Sequence, residues 1–331
     1  MSELKFRLAI YSDKAKIIAF MDANWGSKHP LVHIAEYFDY YYSSCSDNNA
    51  LQFALCEQDD VLIAIAGYIL TNKCESPDIW VSIWCAVKGQ NGAGLELMNA
   101  LPSLTHANVM ACNNIREKTM PFYTFLGYTA ERLPHYYRLA DKSVYRVAQI
   151  ADKNILPVPS GEALCKINSC EQLSNVFTPI QEIKPYKDIW YLSRRYFNYP
   201  HQKYDVWGYF KNGKALQLLV TRTVDVNGVN VLRIVDYIGK SKDFALLGYG
   251  INELMQNANA EYADMYCYGI SADIIAKAGL CERKRDDINI IPHYLNPPLY
   301  ENTEYFFFTS HSDNFMMFKA DGDQDRPNIN A

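Results

Sequence analysis

The chain echoes itself, and copies of one sequence pattern are expected to fold alike. Glu36-Tyr37-Phe38-Asp39-Tyr40 returns as Arg195-Tyr196-Phe197-Asn198-Tyr199, and Leu95-Glu96-Leu97-Met98 returns as Asn252-Glu253-Leu254-Met255. Gly127-Tyr128, Glu131-Arg132 and Leu133-Pro134-His135-Tyr136 return as Gly279-Leu280, Glu282-Arg283 and Ile291-Pro292-His293-Tyr294. Coincidence accounts for one such echo, whereas three in chain order imply two copies of one fold. The 331 residues leave room for two ordinary domains. Strand-like segments at 6–10, 52–57, 61–70, 79–87 and 108–112 have counterparts at 205–210, 215–223, 231–239 and 263–268, with helical patterns between them. The expected class is therefore α/β (α+β), with two mixed central sheets, each flanked by helices. Segments 133–140 and 143–148 read as strands closing the first copy. Pro157, Pro159 and Gly161 mark a linker, which gives domains at 1–152 and 164–331 joined by 153–163.

Bulk properties narrow the function. The formal charge is −5 with no block of lysine or arginine, which argues against nucleic acid or an anionic membrane as the main partner. Nine cysteines are scattered without Cys-x-x-Cys spacing, as in a protein with reduced thiols. The N-terminus lacks a secretory apolar core and no apolar run approaches a membrane span, so a soluble, cytoplasmic protein is expected. The acidic tail Asp321-Gly322-Asp323-Gln324-Asp325-Arg326 mimics a calcium loop. Arg326 takes the place of the required glycine, however, and the chain ends before the terminal glutamate, so no metal is expected.

Chemistry concentrates between Ile79 and Tyr128. The apolar run Ile79-Trp80-Val81-Ser82-Ile83-Trp84-Cys85-Ala86-Val87 suits a strand covered on both faces. It runs into Lys88-Gly89-Gln90-Asn91-Gly92-Ala93-Gly94 and then a helical pattern. A strand, a glycine-rich turn and a helix aim main-chain N–H groups and a helix N-terminus at a phosphate. A second strand then leads to Phe122-Tyr123-Thr124-Phe125-Leu126-Gly127-Tyr128.

The glycine turn and the Phe-Tyr-x-x-Leu-Gly-Tyr segment together resemble the acyl-CoA motifs of the GNAT N-acyltransferases. The resemblance implies two tandem GNAT-like domains. It places the CoA pyrophosphate on Lys88, Gly89, Gln90, Asn91, Gly92, Ala93 and Gly94, and the pantetheine along Trp84, Cys85, Ala86 and Val87, with Asn113 on the facing strand. Tyr123 would point at the thioester sulfur. One departure is that the family usually opens this turn with Arg or Gln, whereas Gly89 stands here between Lys88 and Gln90. In the second copy Ile275 takes the place of Tyr123, and the apolar residues before Gly248-Tyr249-Gly250 read as helix packing. The acyl-CoA is thus expected in the first copy.

Transfer of an acyl group from a thioester to an amine needs a neutral amine, a polarised carbonyl and a proton for the departing thiolate. Tyr123 is the candidate acid, and a main-chain N–H near Ala86 or Val87 the candidate carbonyl donor. His29 is the candidate base, four residues after Trp25 and four before His33. Trp-x-x-x-His at this place is similar to tandem GNAT enzymes that acylate nucleotide-linked amino sugars. That likeness implies an acceptor site drawing on Trp25, Lys28, His29 and His33, on Asp236 and Tyr237 of the second copy, and on Arg326 of a folded-back tail. Asp236, a carboxylate in an apolar strand, needs a partner, either a sugar hydroxyl or amine or a nearby basic group, and the tail's Asp and Arg either tie it down or line the acceptor cleft. The implied reaction transfers 3-hydroxybutyryl or acetyl from the acyl-CoA cosubstrate to a dTDP-linked amino-dideoxy sugar for bacterial surface glycans. Two alternatives stay open: an aminoacyl transferase of the peptidoglycan-bridge type, and an acyl-CoA-binding module that does not react.

Overall fold

The computed structural model describes residues 3–25, 28–43 and 49–327. The first copy runs β1 (Lys5–Ile10), α1 (Lys14–Asn24), α2 (Pro30–His33), α3 (Ala35–Tyr42), β2 (Ala50–Gln58), β3 (Val61–Leu70), β4 (Asp78–Ala86), α4 (Asn91–Thr105), β5 (Val109–Ile115), α5 (Met120–Phe125), β6 (Thr129–Leu133) and β7 (His135–Leu139). The second repeats that order as β8 (Cys165–Ile167), α6 (Cys170–Val176), α7 (Ile189–Tyr196), β9 (Asp205–Lys211), β10 (Lys214–Val226), β11 (Val229–Ile238), α8 (Gly248–Asn257), β12 (Ala260–Tyr268), α9 (Ala272–Lys277), β13 (Cys281–Arg283) and β14 (Tyr305–Thr309). A short β15 (Met317–Phe318) follows. The near-continuous apolar runs of β3 and β4 are buried on both faces. Tyr42, Phe53 and Ile83 belong to one core layer, and Met98, Leu101 and Phe308 to the other.

The sheets do not respect the expected division at 153–163. The first is ordered β1-β2-β3-β4-β5-β14-β6, and the second β13-β7-β12-β11-β10-β9-β8. β7 of the first copy therefore pairs with β12 and β13. In return, β14 of the second copy lies between β5 and β6. Each copy gives its last strand to the other sheet. Segment 143–148, expected as a strand, is irregular because the buried Glu261 carboxylate takes the N–H groups of Arg146, Val147 and Ala148 at 2.6–2.8 Å.

Two of the echoes also change meaning. Tyr37-Phe38 opens α3, whereas Tyr196-Phe197 closes α7, so that pair is not equivalent in space. Ile291-Pro292-His293-Tyr294 precedes β14 by a loop, so β14 itself is the counterpart of β7. The helical echo, α4 with α8, and the Glu-Arg echo, β6 with β13, hold.

Parallel pairing between strands occurs once in each sheet, and there the strands part. β4 and β5 match only at Asp78↔Val109, Ile79↔Met110 and Trp80↔Ala111, after which they diverge toward Ala86 and Ile115. β11 and β12 match as far as Ile234↔Met265. The second divergence is filled by the chain's own tail. Met317 and Phe318 pair with Tyr268 and Cys267, and the Ala320 N–H donates to the Val235 carbonyl at 3.0 Å.

The tail is then clasped along its length. Lys187 Nζ binds both oxygens of Asp236 at 2.7 and 2.8 Å and lies 2.6 Å from Asp321 Oδ1, off the hydrogen-bond direction. The Arg195 guanidinium donates to the carbonyls of Ala320 and Gln324, and Arg222 grips the Asp325 carboxylate. From the first sheet, Asn113 Nδ2 donates to the carbonyls of Phe318, Lys319 and Asp321 at 3.0, 3.4 and 3.2 Å.

Candidate active site

The gap between β4 and β5 is bordered by donors that the backbone geometry leaves free. The Val87 N–H donates to the Ile63 carbonyl at 2.9 Å, and Cys85 is paired with Ile65. In an antiparallel ladder, alternate residues turn their N–H and C=O to the same neighbour. Cys85 and Val87 thus face β3, while the main-chain groups of Trp84 and Ala86 face the gap. Of the two donors expected from sequence, Ala86 is available and Val87 is not. The Cys85 thiol lies on the other sheet face, where burial pushes its pKa up, so the side chain does not reach this gap.

At the mouth of the gap, the three glycines have three different environments. Gly89 turns the chain at φ +88°, a conformation that strains any residue with a Cβ. Gly94 is packed. A Cβ there would sit 3.1 Å from Ala86 Cβ and 3.3 Å from Trp84 Nε1, and its carbonyl accepts the Trp84 indole N–H at 3.0 Å. Gly92 is exposed, with nothing within 4 Å of where a Cβ would be. The Gln90 carbonyl accepts from the Ala93 and Gly94 N–H groups, so the Gly92 N–H at the start of α4 has no intrahelical acceptor. Lys88 and Gln90 are exposed beside it, and the side chain of Asn91 lies outside the described residues. An exposed, unobstructed helix N-terminus at the end of a splayed strand suits a pyrophosphate.

Tyr123 is packed in the core layer beside Trp84. Its ring stacks on Phe308 of the exchanged β14 at 4.0 Å and approaches Trp84 at 6.2 Å. Burial, reinforced by the neighbouring Cys112, holds the phenol pKa well above its usual value, with the Thr119 hydroxyl acting weakly the other way. The phenol therefore stays protonated across the working pH range.

The predicted histidines sit near the tail. Trp25 and His29 meet edge to face at 5.2 Å. The His29 carbonyl accepts from the first turn of α2, while its Nδ1 is buried without a hydrogen-bond partner among the described residues. Burial lowers the His29 pKa to about 4; the Asp323 carboxylate opposes this, and Arg326 and His33 add to it. His29 is thus always unprotonated near neutrality, a free but weak base. His33 Nε2 lies 2.7 Å from Asp22 Oδ1 in poor hydrogen-bond alignment. Lys28 is exposed, Arg326 lies 3.9 Å from Asp323, and residues 26 and 27 lie outside the described residues.

Three expected site residues are engaged elsewhere. Asp236 is wholly buried, with its carboxylate held by Lys187, the Tyr196 hydroxyl and the Tyr237 N–H, so it offers nothing to an acceptor. The Tyr237 hydroxyl is likewise bonded to Gln217 and the Lys240 carbonyl. The Asn113 amide secures the tail instead of lining a CoA site, and its Oδ1 is buried without a partner among the described residues. Asp323 of the tail also belongs to this region. Its field reaches His29, Tyr42 and Cys112, which marks it as the carboxylate of this region. No group of three or more His, Cys, Asp or Glu among the described residues is arranged to hold a metal ion, and none of the described helices is long and apolar enough to cross a membrane.

No family model and no curated protein sequence matches the chain. Solved structures do. A conserved protein from Enterococcus faecalis V583, described as a “probable N-acyltransferase”, superposes with a TM-score of 0.53 at 11% identity, covering 93% of this chain and 72% of that one. A GCN5-related N-acetyltransferase from Anabaena variabilis gives 0.49 at 8% identity, over 93% and 72% of the two chains. Saccharomyces cerevisiae N-myristoyltransferase with bound myristoyl-CoA gives 0.45 at 10% identity, over 93% and 80%. Two mixed sheets, each flanked by helices, are the fold this chain shares with the Enterococcus faecalis protein.

Proposed function

We propose that the chain is an N-acyltransferase that moves an acetyl or 3-hydroxybutyryl group from coenzyme A to the amine of a nucleotide-linked amino-dideoxy sugar. The observation that carries the reading is the β4–β5 gap. It has Ala86 facing it, a clear helix N-terminus at its mouth and the protonated Tyr123 packed beside Trp84. The turn at Lys88–Gly94 would hold the pyrophosphate, and the Ala86 N–H would polarise the thioester carbonyl. In the transfer, the amine nitrogen bonds the acyl carbon and the carbon–sulfur bond breaks. Tyr123 gives its proton to the departing thiolate, and the amine's proton passes to His29 or to water.

The second copy is assigned no acyl-CoA because residues 317–320 occupy the corresponding gap. Gly92→Leu is expected to fold normally and to weaken acyl-CoA binding by on the order of tenfold or more, since it fills only the space a phosphate would use. Gly248→Val should instead destabilise the protein by about 1–3 kcal/mol and spare acyl-CoA. A Cβ at Gly248 would meet the Ala278 backbone at 2.9 Å. Calorimetric titration of both variants with acyl-CoA, beside their urea unfolding curves, separates the two effects.

The reading as a whole is tested by thiol release from acetyl-CoA and 3-hydroxybutyryl-CoA against a panel of nucleotide-linked amino sugars. Turnover with simple peptides or aminoacyl acceptors, and none with the sugars, would replace the acceptor class. Absence of thiol release with every amine would remove the enzyme reading.

A further inference from the structure

The tail, the loop before β14, the strands β10 and β11 and Asn114 of β5 enclose a cleft of ≈ 550 Å³. That is enough for a ligand of nucleotide size. Four cations line it, Arg222, Arg233, Lys319 and Arg326, against one lining carboxylate, Asp325. Two of the guanidiniums are only half engaged. Arg222 binds Asp325 through Nε and Nη2, and Arg233 binds Asp264 through the same two atoms. The Nη1 groups make no hydrogen bond among the described residues.

Lys319 is the unusual member. It is 4% exposed, yet no carboxylate lies within 4 Å of its ammonium among the described residues. It has the Tyr305 ring at 3.5 Å and Gln324 Oε1 at 3.3 Å. His293, 5% exposed, also lines the cleft, and its Nδ1 has no hydrogen-bond partner among the described residues. A buried lysine with no carboxylate in contact is costly as a cation, and a ligand that brings negative charge to it offsets that cost.

We propose that this cleft is a binding site for a phosphorylated ligand of the nucleoside diphosphate class, whose phosphate oxygens are met by Lys319 and by the unengaged edges of Arg222 and Arg233. Three donors on separate elements suit the several oxygens of a phosphate better than a single carboxylate. His293 and Tyr305 supply a polar nitrogen and ring faces for the rest of the ligand. As the site of the acyl acceptor, the assignment rests on the function proposed above; as a nucleotide site it stands on the cleft alone.

Proton linkage follows from the same geometry. Lys319 is faced by Arg233 from β11, by Asp323, Gln324, Asp325 and Arg326 of the tail, and by Tyr305 from β14. Burial, with Arg233 and Arg326, lowers its pKa to about 7 against the opposing pull of Asp325 and Asp323. A bound phosphate dianion favours the ammonium form, so binding takes up a proton and weakens as pH rises above 7.

The test is calorimetric titration of the full chain with thymidine diphosphate, in the presence of saturating CoA, at pH 7.5 and 9. The expected result is binding that weakens by about tenfold between the two pH values. Lys319→Met is expected to lose tenfold or more of that affinity and its pH dependence, while keeping acyl-CoA affinity. It should also unfold no earlier than the wild type, because it removes a buried cation. Lack of thymidine diphosphate binding, displacement by CoA, or unchanged binding in Lys319→Met would each overturn the site. Nucleotide binding as described, with no acylation of any nucleotide-linked sugar, would leave this site standing and remove the proposed acceptor. Acylation of such a sugar with an unchanged KM in Lys319→Met would do the reverse.

Discussion

Tyr123→Phe is expected to lower kcat by about 10²–10⁴-fold while acyl-CoA affinity stays within about twofold. The ring is held by stacking on Phe308, and phenylalanine keeps that contact, so ground-state packing survives. What disappears is the proton needed as the thiolate leaves. Because burial and Cys112 push the phenol's pKa far up, the wild-type rate should show no alkaline loss from Tyr123 ionisation up to about pH 9. His29, lowered to about 4, becomes protonated only at strongly acidic pH and imposes no acid limb near neutrality. Single-turnover rates, with acyl-CoA binding measured separately, decide the matter. An unchanged rate under conditions where chemistry limits turnover would reduce Tyr123 to a packing residue.

Lys187→Met is expected to cost about 3–5 kcal/mol of stability, because it leaves Asp236 and Asp321 buried without their cation. Both carboxylates are wholly buried, and both lie within 2.8 Å of the Lys187 nitrogen. Even with the lysine present, burial and Asp236 raise the Asp321 pKa to about 7. A carboxyl whose folded pKa is raised loses stability as pH climbs from its unfolded value near 3.8 toward the folded one. Without Lys187 the folded pKa rises further, so the penalty should grow between pH 5 and pH 8. Urea unfolding at the two pH values checks both size and sign. A loss below about 1 kcal/mol at both would mean that the network does not hold the tail.

Local patterns were the legible part of this fold. The apolar runs gave β3 and β4, the Gln58-Asp59-Asp60 turn joins β2 to β3 with Asp59 and Asp60 both at positive φ, and the glycine turn opens α4 where expected. Tyr123 falls in α5, where its segment put it, and packs on Phe308. Partnership between strands was not legible. Nothing in His135-Tyr136-Tyr137-Arg138-Leu139 says that it pairs with β12 rather than β6, because an alternating strand fits either neighbour equally well. Asp236 failed for a related reason. A carboxylate in an apolar strand signals that a partner exists, but its partner Lys187 lies 49 residues away in a segment with no pattern of its own. The tail's spacing suggested a segment folded back by its Asp and Arg residues, but not that Lys319 is buried with them.

The reciprocal strands also set the order of events during synthesis. When β6 leaves the ribosome, the strand that belongs beside it, β14, is still more than 170 residues from being made. Until then β5 and β6 offer unpaired edges, the kind of surface that chaperones cover and that invites aggregation. The first sheet therefore stays incomplete until β14 has been made, and a frameshift before β14 would leave the facing edges of β5 and β6 open. The same interlock keeps the duplication together in evolution. Neither copy can be passed on as a separate gene without losing the strand that the other supplies.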